Sequence, residues 1–172
     1  MPSGVVLVEG VSDRIAIETL AARLGRDLTA DGVSVVPVGG AHAIGRFLGG
    51  VGAESRVAVL CDVGEEPAVA RAIARSPVER LGLFVCNRDL EDELIRALGV
   101  DEVEALLEAN GDLGAFRTLQ KQAAWRGRPT DRQLHRFMGS GGSRKTRYAR
   151  ILVDALDPDR VPPPLAGALA HV

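Results

Sequence analysis

The chain has 172 residues, 46% of them hydrophobic but only 3% aromatic, with a formal net charge of −2. That length suits one compact domain, and a core poor in aromatics must be built from Val, Leu, Ile and Ala, as in a buried parallel sheet flanked by helices. No apolar run approaches the ~20 residues that span a bilayer, and the start, MPSGVVLVEG, has neither the basic region nor the small-residue cleavage site of a signal peptide.

In chain order, short β-branched runs alternate with helical patterns. GVVLVE reads as a strand, followed by the amphipathic SDRIAIETLAARLG, with Gly25 as C-cap. VSVVPV is the second strand, and GGAHAIGRFLGG a short helix between glycine pairs. SRVAVLCD is the third strand, before EEPAVARAIARS, where Pro67 suits a first helical turn. LGLFVCN is the fourth, before DLEDELIRALG. Strands separated by helices imply βαβ crossovers, a mainly parallel sheet and helices on both faces. Cys61 and Cys86, at strand ends, read as reduced core thiols of a cytoplasmic protein.

Beyond about Val100 the strand signal stops. DEVEALLEANG, DLGAFRTLQKQAAWRG, TDRQLHRFM and SRKTRYARILVDAL all read as helices. Asp101 and Glu104 suit a capping box, and Thr130 an N-cap. The proline-rich DPDRVPPPL leads to a short terminal helix. The expected organisation is an α/β domain over 1–100, with a helical extension over 101–172 packed on it as one unit.

Charge divides along the same line. Residues 1–110 carry −8, and residues 111–172 carry +6. Between Leu113 and Ile151, Asp131 is the only acid against ten basic residues. An acidic half joined to a basic half points to a polyanionic partner held near a cation-binding cluster, with ordinary solvated helix faces as the alternative.

Ligands of doubly wound sheets bind at the carboxyl ends of the strands. There the sequence places Glu9 after the first strand, Asp62 at the end of the third, and Asp89, Glu91 and Asp92 beyond the fourth. Asp13 lies four residues after Glu9, across the Gly10 turn. Two carboxylates about 4 Å apart repel by roughly 4 kcal/mol at an effective dielectric near 20, so such a gathering calls for a cation or a raised pKa. Oxygen donors favour Mg²⁺ or Mn²⁺, and the lack of nearby His or paired Cys argues against zinc. Taken singly, Asp13 is equally a helix-dipole residue and Glu91 a solvated helix position.

LVEGVSDR, VAVLCDVGEE and DLEDEL, in that order, resemble the Toprim domain of topoisomerases, bacterial primases and nucleases. The EGxSD form with the later DLEDEL is most similar to the overcoming-lysogenization-defect (OLD) nucleases, over roughly residues 4–100. The resemblance implies a compact Rossmann-like fold and a DNA endonuclease or nickase. Glu9, Asp13, Asp62 and Glu91 would hold Mg²⁺ or Mn²⁺ in a two-metal or one-metal site. Two ions would bracket the in-line displacement. Lys145, in SRKTRYAR, matches a late family lysine that stabilises the transition state; a generic phosphate contact is its alternative. Arg126, Arg128, Arg144, Arg147 and Arg150 would contact the DNA backbone. OLD nucleases usually carry an ATPase domain, for which 172 residues leave no room, so an ATPase is expected as a separate partner protein.

One departure stands out. The second acid of the family's Asp-x-Asp is Gly64 here, and Glu65 is a possible substitute shifted by one residue. Two other readings follow: a catalytically weak nucleic-acid-binding or partner-binding accessory protein, and a metal-dependent phosphoryl-transfer enzyme acting on nucleotides or RNA.

GSGGSRKT nearly spells a phosphate-binding loop, but Arg144 takes the place of the required glycine and the preceding segment is helical. Trp125, the only tryptophan, reads as a helix-packing anchor or a base-stacking platform. His42, His135 and His171 show no constellation in the sequence.

Overall fold

The structure, a computed structural model, describes residues 3–172. Met1 and Pro2, the start of the stretch that lacks a signal-peptide pattern, lie outside the described residues. Four strands, β1 (Gly4–Val8), β2 (Val33–Pro37), β3 (Arg56–Asp62) and β4 (Arg80–Cys86), form one sheet in the order β2-β1-β3-β4, with every pair parallel. Helices α1 (Val11–Arg23), α2 (Ala41–Gly50) and α3 (Glu66–Ile73) make the crossovers. After β4 the chain is helical: α4 (Leu90–Leu98), α5 (Val100–Ala109), α6 (Leu113–Lys121), α7 (Thr130–Gly139), α8 (Gly142–Ala155), a 3-10 turn at Pro158–Arg160, and α9 (Pro163–His171).

All five residues of β1 are buried, because successive side chains of a strand point to opposite faces and helices cover both. Val6 and Val8 join Ala58, Leu60, Ile17, Leu20, Leu94, Tyr148 and Leu165 in one core. Val5 and Leu7 join Val57, Val59, Ile44, Leu48 and Val69 in the other. The first core runs without a break into α5, α6, α7 and α8 through Val103, Phe116, Leu134 and Leu152. α9 returns to the sheet, and there Gly167 packs so closely on the Phe84 ring that a Cβ would stand 2.7 Å from it.

Two arginines of α1 and its following turn tie the later helices down. Arg23 Nη1 donates to the carbonyls of Val153 (2.7 Å) and Leu156 (2.6 Å) at the end of α8, where free carbonyls and the negative dipole end favour a cation. Arg26 donates to those of Leu169 and Val172. Among the described residues no helix is long and apolar enough to cross a membrane.

Three local expectations need correction. α5 opens at Val100 with Gly99 as N-cap, and Glu104 instead pairs with Arg117 at 2.7 Å, so there is no Asp101–Glu104 capping box. Pro129 is the N-cap of α7, and Thr130 its first residue, since proline's fixed φ suits a helix entry. The helix of DLGAFRTLQKQAAWRG stops at Lys121, and Trp125 lies in a turn closed by Trp125 N–H and Arg126 N–H on the Gln122 carbonyl. Gly25 does sit past the end of α1, at φ +74°, with its N–H on the Ala22 carbonyl.

Candidate metal centre

The strand order changes direction at β1: β2 lies on one side of it and β3 on the other. The crevice of such a sheet opens at the carboxyl ends of the two strands flanking the switch. Here those ends are Glu9, just after β1, and Asp62, the last residue of β3. Gly10 is extended (φ −137°, ψ −179°), and its N–H donates to Asp13 Oδ2 at 2.8 Å, which fixes Asp13 in the first turn of α1 beside Glu9. After Asp62 the chain turns through Gly64, and the Glu65 N–H donates to the Asp62 carbonyl at 2.9 Å. The turn brings the Glu65 carboxyl back to hydrogen-bond that of Glu9.

α4 supplies the third edge. Asp89 is its N-cap, with Oδ1 accepting from the Asp92 N–H at 2.9 Å, and Glu91 lies buried in the first turn. Its neighbours are structural. Glu93 accepts from the Asn87 N–H (2.7 Å) and pairs with Arg96 (2.7 Å), and Asp92 pairs with Arg96 (2.9 Å). Lys145, in the first turn of α8, stands 3.5 Å from Glu91 Oε1. That contact is a charge attraction without hydrogen-bond geometry, so the buried Glu91 Oε1 has no hydrogen-bond partner.

The acids perturb one another. Burial, then Glu65 and Asp13, push the Glu9 carboxyl up. Burial, then Glu9 and Asp89, raise Asp62 to about 7. Asp13 and Glu91 are raised chiefly by burial, against which Lys145 pulls both down. Lys145 is itself raised: burial opposes the charge, but Glu91, Asp13 and Asp89 outweigh it. Burial also raises both thiols, Cys61 to about 12, so neither is a thiolate ligand near neutrality.

Carboxyls whose proton affinity is raised by burial and by one another, together with an orphaned buried Glu91 oxygen, are the donor chemistry of a hard divalent cation. Among the described residues the side chains are not gathered onto one centre, for no three His, Cys, Asp or Glu stand close enough to hold an ion. Glu9, Asp13, Asp62, Glu65 and Glu91 fit a metal in kind, and Lys145 is the cation standing among them.

Sequence reasoning found no role for His135. The fold carries it from α7 to Asp89, where Nε2 and Oδ2 are 2.6 Å apart. This hydrogen bond raises His135 and, with the Asp92 N–H, lowers Asp89 despite burial. Only an eye for pairing between the basic helices and DLEDEL would have suggested it. The predicted DNA-contacting arginines divide. Arg144 lies over the Phe137 ring (4.0 Å to its centre) and donates to Ser140. Arg147 pairs with Asp112, which also accepts from the Tyr148 hydroxyl at 2.6 Å. Arg150 stands 3.8 Å from Asp154, and Arg126 donates to the Lys121 carbonyl at 3.2 Å. Of the five, Arg128 alone makes no side-chain hydrogen bond or ion pair among the described residues.

A parallel four-stranded sheet with acids at its β1/β3 switch, a further acid on the helix after β4 and a helical C-terminal layer define a Toprim-like α/β protein. Residues 3–62 match the family described as overcoming lysogenization defect protein-like, TOPRIM domain. That span includes Glu9, Asp13 and Asp62 and ends before Gly64, Glu91 and Lys145. The whole fold is similar to the C-terminal region of the Burkholderia pseudomallei OLD protein, with a TM-score of 0.72, 20% identity, and coverage of 99% of this chain and 97% of that one. It is also similar to the C-terminal region of the Xanthomonas campestris pv. campestris OLD protein, with a TM-score of 0.67, 22% identity, and coverage of 99% and 94%. No curated protein matches the sequence.

Proposed function

We propose that this protein is a divalent-metal-dependent DNA nuclease that hydrolyses phosphodiester bonds at the carboxyl edge of its sheet. The observation that carries the reading is the convergence of the strand ends on the carboxyl edge, where Glu9, Asp13, Asp62 and Glu91 lie within electrostatic reach of one another and of Lys145, and Glu65 reaches Glu9. Glu9, Asp13, Asp62 and Glu91, with Glu65 in support, would hold Mg²⁺ or Mn²⁺, and the ion supplies a polarised phosphoryl oxygen and an activated water. The chain's own residues do the rest. Glu9, whose proton affinity is raised by burial and by the neighbouring Glu65 and Asp13, would give up that proton to a bound cation. Lys145, held by Glu91, is placed to offset negative charge that develops on the phosphoryl oxygens. The α4 hydrogen bonds of Asp89, Asp92 and Glu93 keep the helix entry rigid under Glu91. The reading carries with it a cytoplasmic setting and an ATPase working beside the site.

Gly64 favours a second reading, a weakly active or inactive nucleic-acid-binding or partner-binding module, because the β3 turn is one carboxylate short. The deciding experiment incubates the purified protein with supercoiled plasmid and Mg²⁺ or Mn²⁺, beside Glu9→Ala. Metal-dependent nicking that the variant lacks supports the nuclease. DNA binding without nicking under both metals favours the accessory module, and nicking that survives Glu9→Ala overturns the site.

A further inference from the structure

Next to the acidic edge lies a groove of about 440 Å³, between the loop that leads into α4 and the N-terminal part of α7 with the turn before it. Arg88, Trp125, Arg128, Pro129, His135 and Arg136 line it. Three of these, Arg88, Arg128 and Arg136, are exposed and form no ion pair among the described residues. A fourth arginine on the wall, Arg132, is partly neutralised by Asp131 at 3.7 Å and Asp92 at 4.0 Å. Three unpaired guanidiniums held around one concavity repel one another, and an anion relieves that repulsion.

The aromatic wall is built rather than loose. Trp125 is half-buried and packs on the main core. Its backbone is pinned, because Gln133 Nε2 donates to the Trp125 carbonyl at 2.8 Å and Gln120 Nε2 donates to Gln133 Oε1 at 2.7 Å. A fixed indole beside free guanidiniums is the pairing that binds single-stranded nucleic acid: a base stacks on the ring and its phosphate sits among the arginines. The groove's floor joins the catalytic edge, since His135 lies in its wall and hydrogen-bonds Asp89 at 2.6 Å, two residues before Glu91.

We propose that this groove binds one nucleotide of single-stranded DNA, with the base on Trp125 and the phosphate among Arg88, Arg128 and Arg136, next to the acidic edge. The identification of the ligand as DNA rests on the nuclease reading. A duplex offers the arginines the same phosphates but no free base face to the indole, so the groove prefers an unpaired strand.

Because Trp125 is the only tryptophan, its fluorescence reports on the groove directly. Titration with an oligothymidylate in EDTA should quench it, and an equal-length duplex should quench it far less. Arg128→Ala/Arg136→Ala should weaken oligothymidylate binding about 10-fold at low salt, and Trp125→Ala by a similar factor, since one stacked base contributes that much. Arg71→Ala/Arg75→Ala, away from the groove on α3 and the turn after it, should leave it unchanged. If Trp125→Ala fails to fold, the arginine variant and the wild-type quench still decide. Unmoved fluorescence on binding, equal quenching by duplex, or wild-type affinity in the arginine variant overturns the proposal. Metal stays absent throughout, so the two readings fail separately. A protein that nicks plasmid without quenching loses only the groove, and one that quenches without nicking loses only the nuclease.

Discussion

The carboxyl edge of the sheet and the helices after Val100 both looked charged in the sequence, but they use charge in opposite ways. At the sheet edge Glu9, Asp13, Asp62 and Glu91 are raised by burial and by neighbouring acids, with Lys145 the cation that pulls them down. In the helices the arginines are mostly spent on the fold, with Arg117 on Glu104, Arg144 on Phe137 and Ser140, and Arg147 on Asp112. Crowded like charges are costly unless a ligand relieves them, so they mark a site. Dispersed cations that already have partners mark packing. The net charge of +6 over 111–172 therefore overstates the positive surface free to meet a polyanion, and of its unpaired cations Arg128 and Arg136 face the groove that Arg88 also lines.

The sharpest way to break this contrast is to remove the one cation from the acidic edge. Lys145→Met should lower metal-dependent nicking by about 100- to 1,000-fold, the usual loss on deleting one positioned transition-state donor. Mn²⁺ binding, read by calorimetry, should survive, because the carboxylates remain. Wild-type nicking by this variant would reduce Lys145 to a structural partner of Glu91.

A second test reads the crowding without metal. Asp62 ordinarily titrates near 3.8 but reaches about 7 in the fold, so the folded state keeps a proton that the unfolded chain gives up. The Asp62 contribution to stability in EDTA should be full below about pH 4, fall as pH rises from about 4 to 7, and level off above, while Asp89, lowered by His135, works in the opposite sense at acid pH. Glu9, Asp13 and Glu91 shift in the same sense as Asp62, and His135, raised by Asp89, also contributes stability that is lost as pH rises through its folded value. Asp62→Asn should flatten the curve and raise Tm at pH 8 by about 5 °C. That corresponds to about 2 kcal/mol after screening of a partly exposed group. Saturating Mg²⁺ should shrink the gain, since the wild-type carboxylate then has its counter-charge. An unchanged pH curve in Asp62→Asn would mean that the edge is not crowded.

Most of the fold was legible because both of its periodicities are plain. The four apolar runs became the four strands within a residue or two, and the acids at their ends were visible as exceptions to those runs. What the sequence withheld was long-range pairing. Nothing local says that His135 meets Asp89 across 46 positions, or that Arg147 turns to Asp112. The stop of α6 at Lys121 was hidden as well, because Gln122, Ala123 and Ala124 fit a helix and the tertiary turn overrides them. The resemblance in LVEGVSDR pointed to Glu9 and Asp13, but it did not show that Glu65 reaches Glu9.

That last contact makes Gly64 the position at which a missing carboxylate can be restored on the acidic edge. A Cβ at Gly64 meets nothing within 4 Å, and its φ is not in the left-handed region, so Gly64→Asp is tolerated by the backbone. The variant adds the carboxylate that the β3 turn lacks. Mg²⁺ affinity should rise about 10-fold, and nicking should increase where metal is limiting, while Tm in EDTA at pH 8 drops by a few degrees from one more unpaired acid. Tighter metal binding without faster nicking would show that Glu65 already completes the site.

The smallest effect belongs to the far end of the contrast, and it is a test by near-silence. Arg150 is exposed, with a side chain 74% accessible, and its 3.8 Å pairing with Asp154 is a solvent-screened i,i+4 contact. Such pairs contribute about 0.3–0.5 kcal/mol, so Arg150→Ala should shift Tm by no more than about 2 °C. Arg147→Ala should cost more, about 1 kcal/mol, because it strips the guanidinium from Asp112 beside the buried Tyr148 hydroxyl. If both arginines guide DNA, the two variants should weaken binding alike whatever their stabilities. If charge in the helices mainly serves packing, Arg147→Ala should be the less stable of the two and neither should move DNA affinity beyond about 3-fold, the loss of one exposed phosphate contact. A 10-fold loss of affinity in Arg150→Ala would return the α8 arginines to the binding surface and widen the path beyond the groove at Trp125.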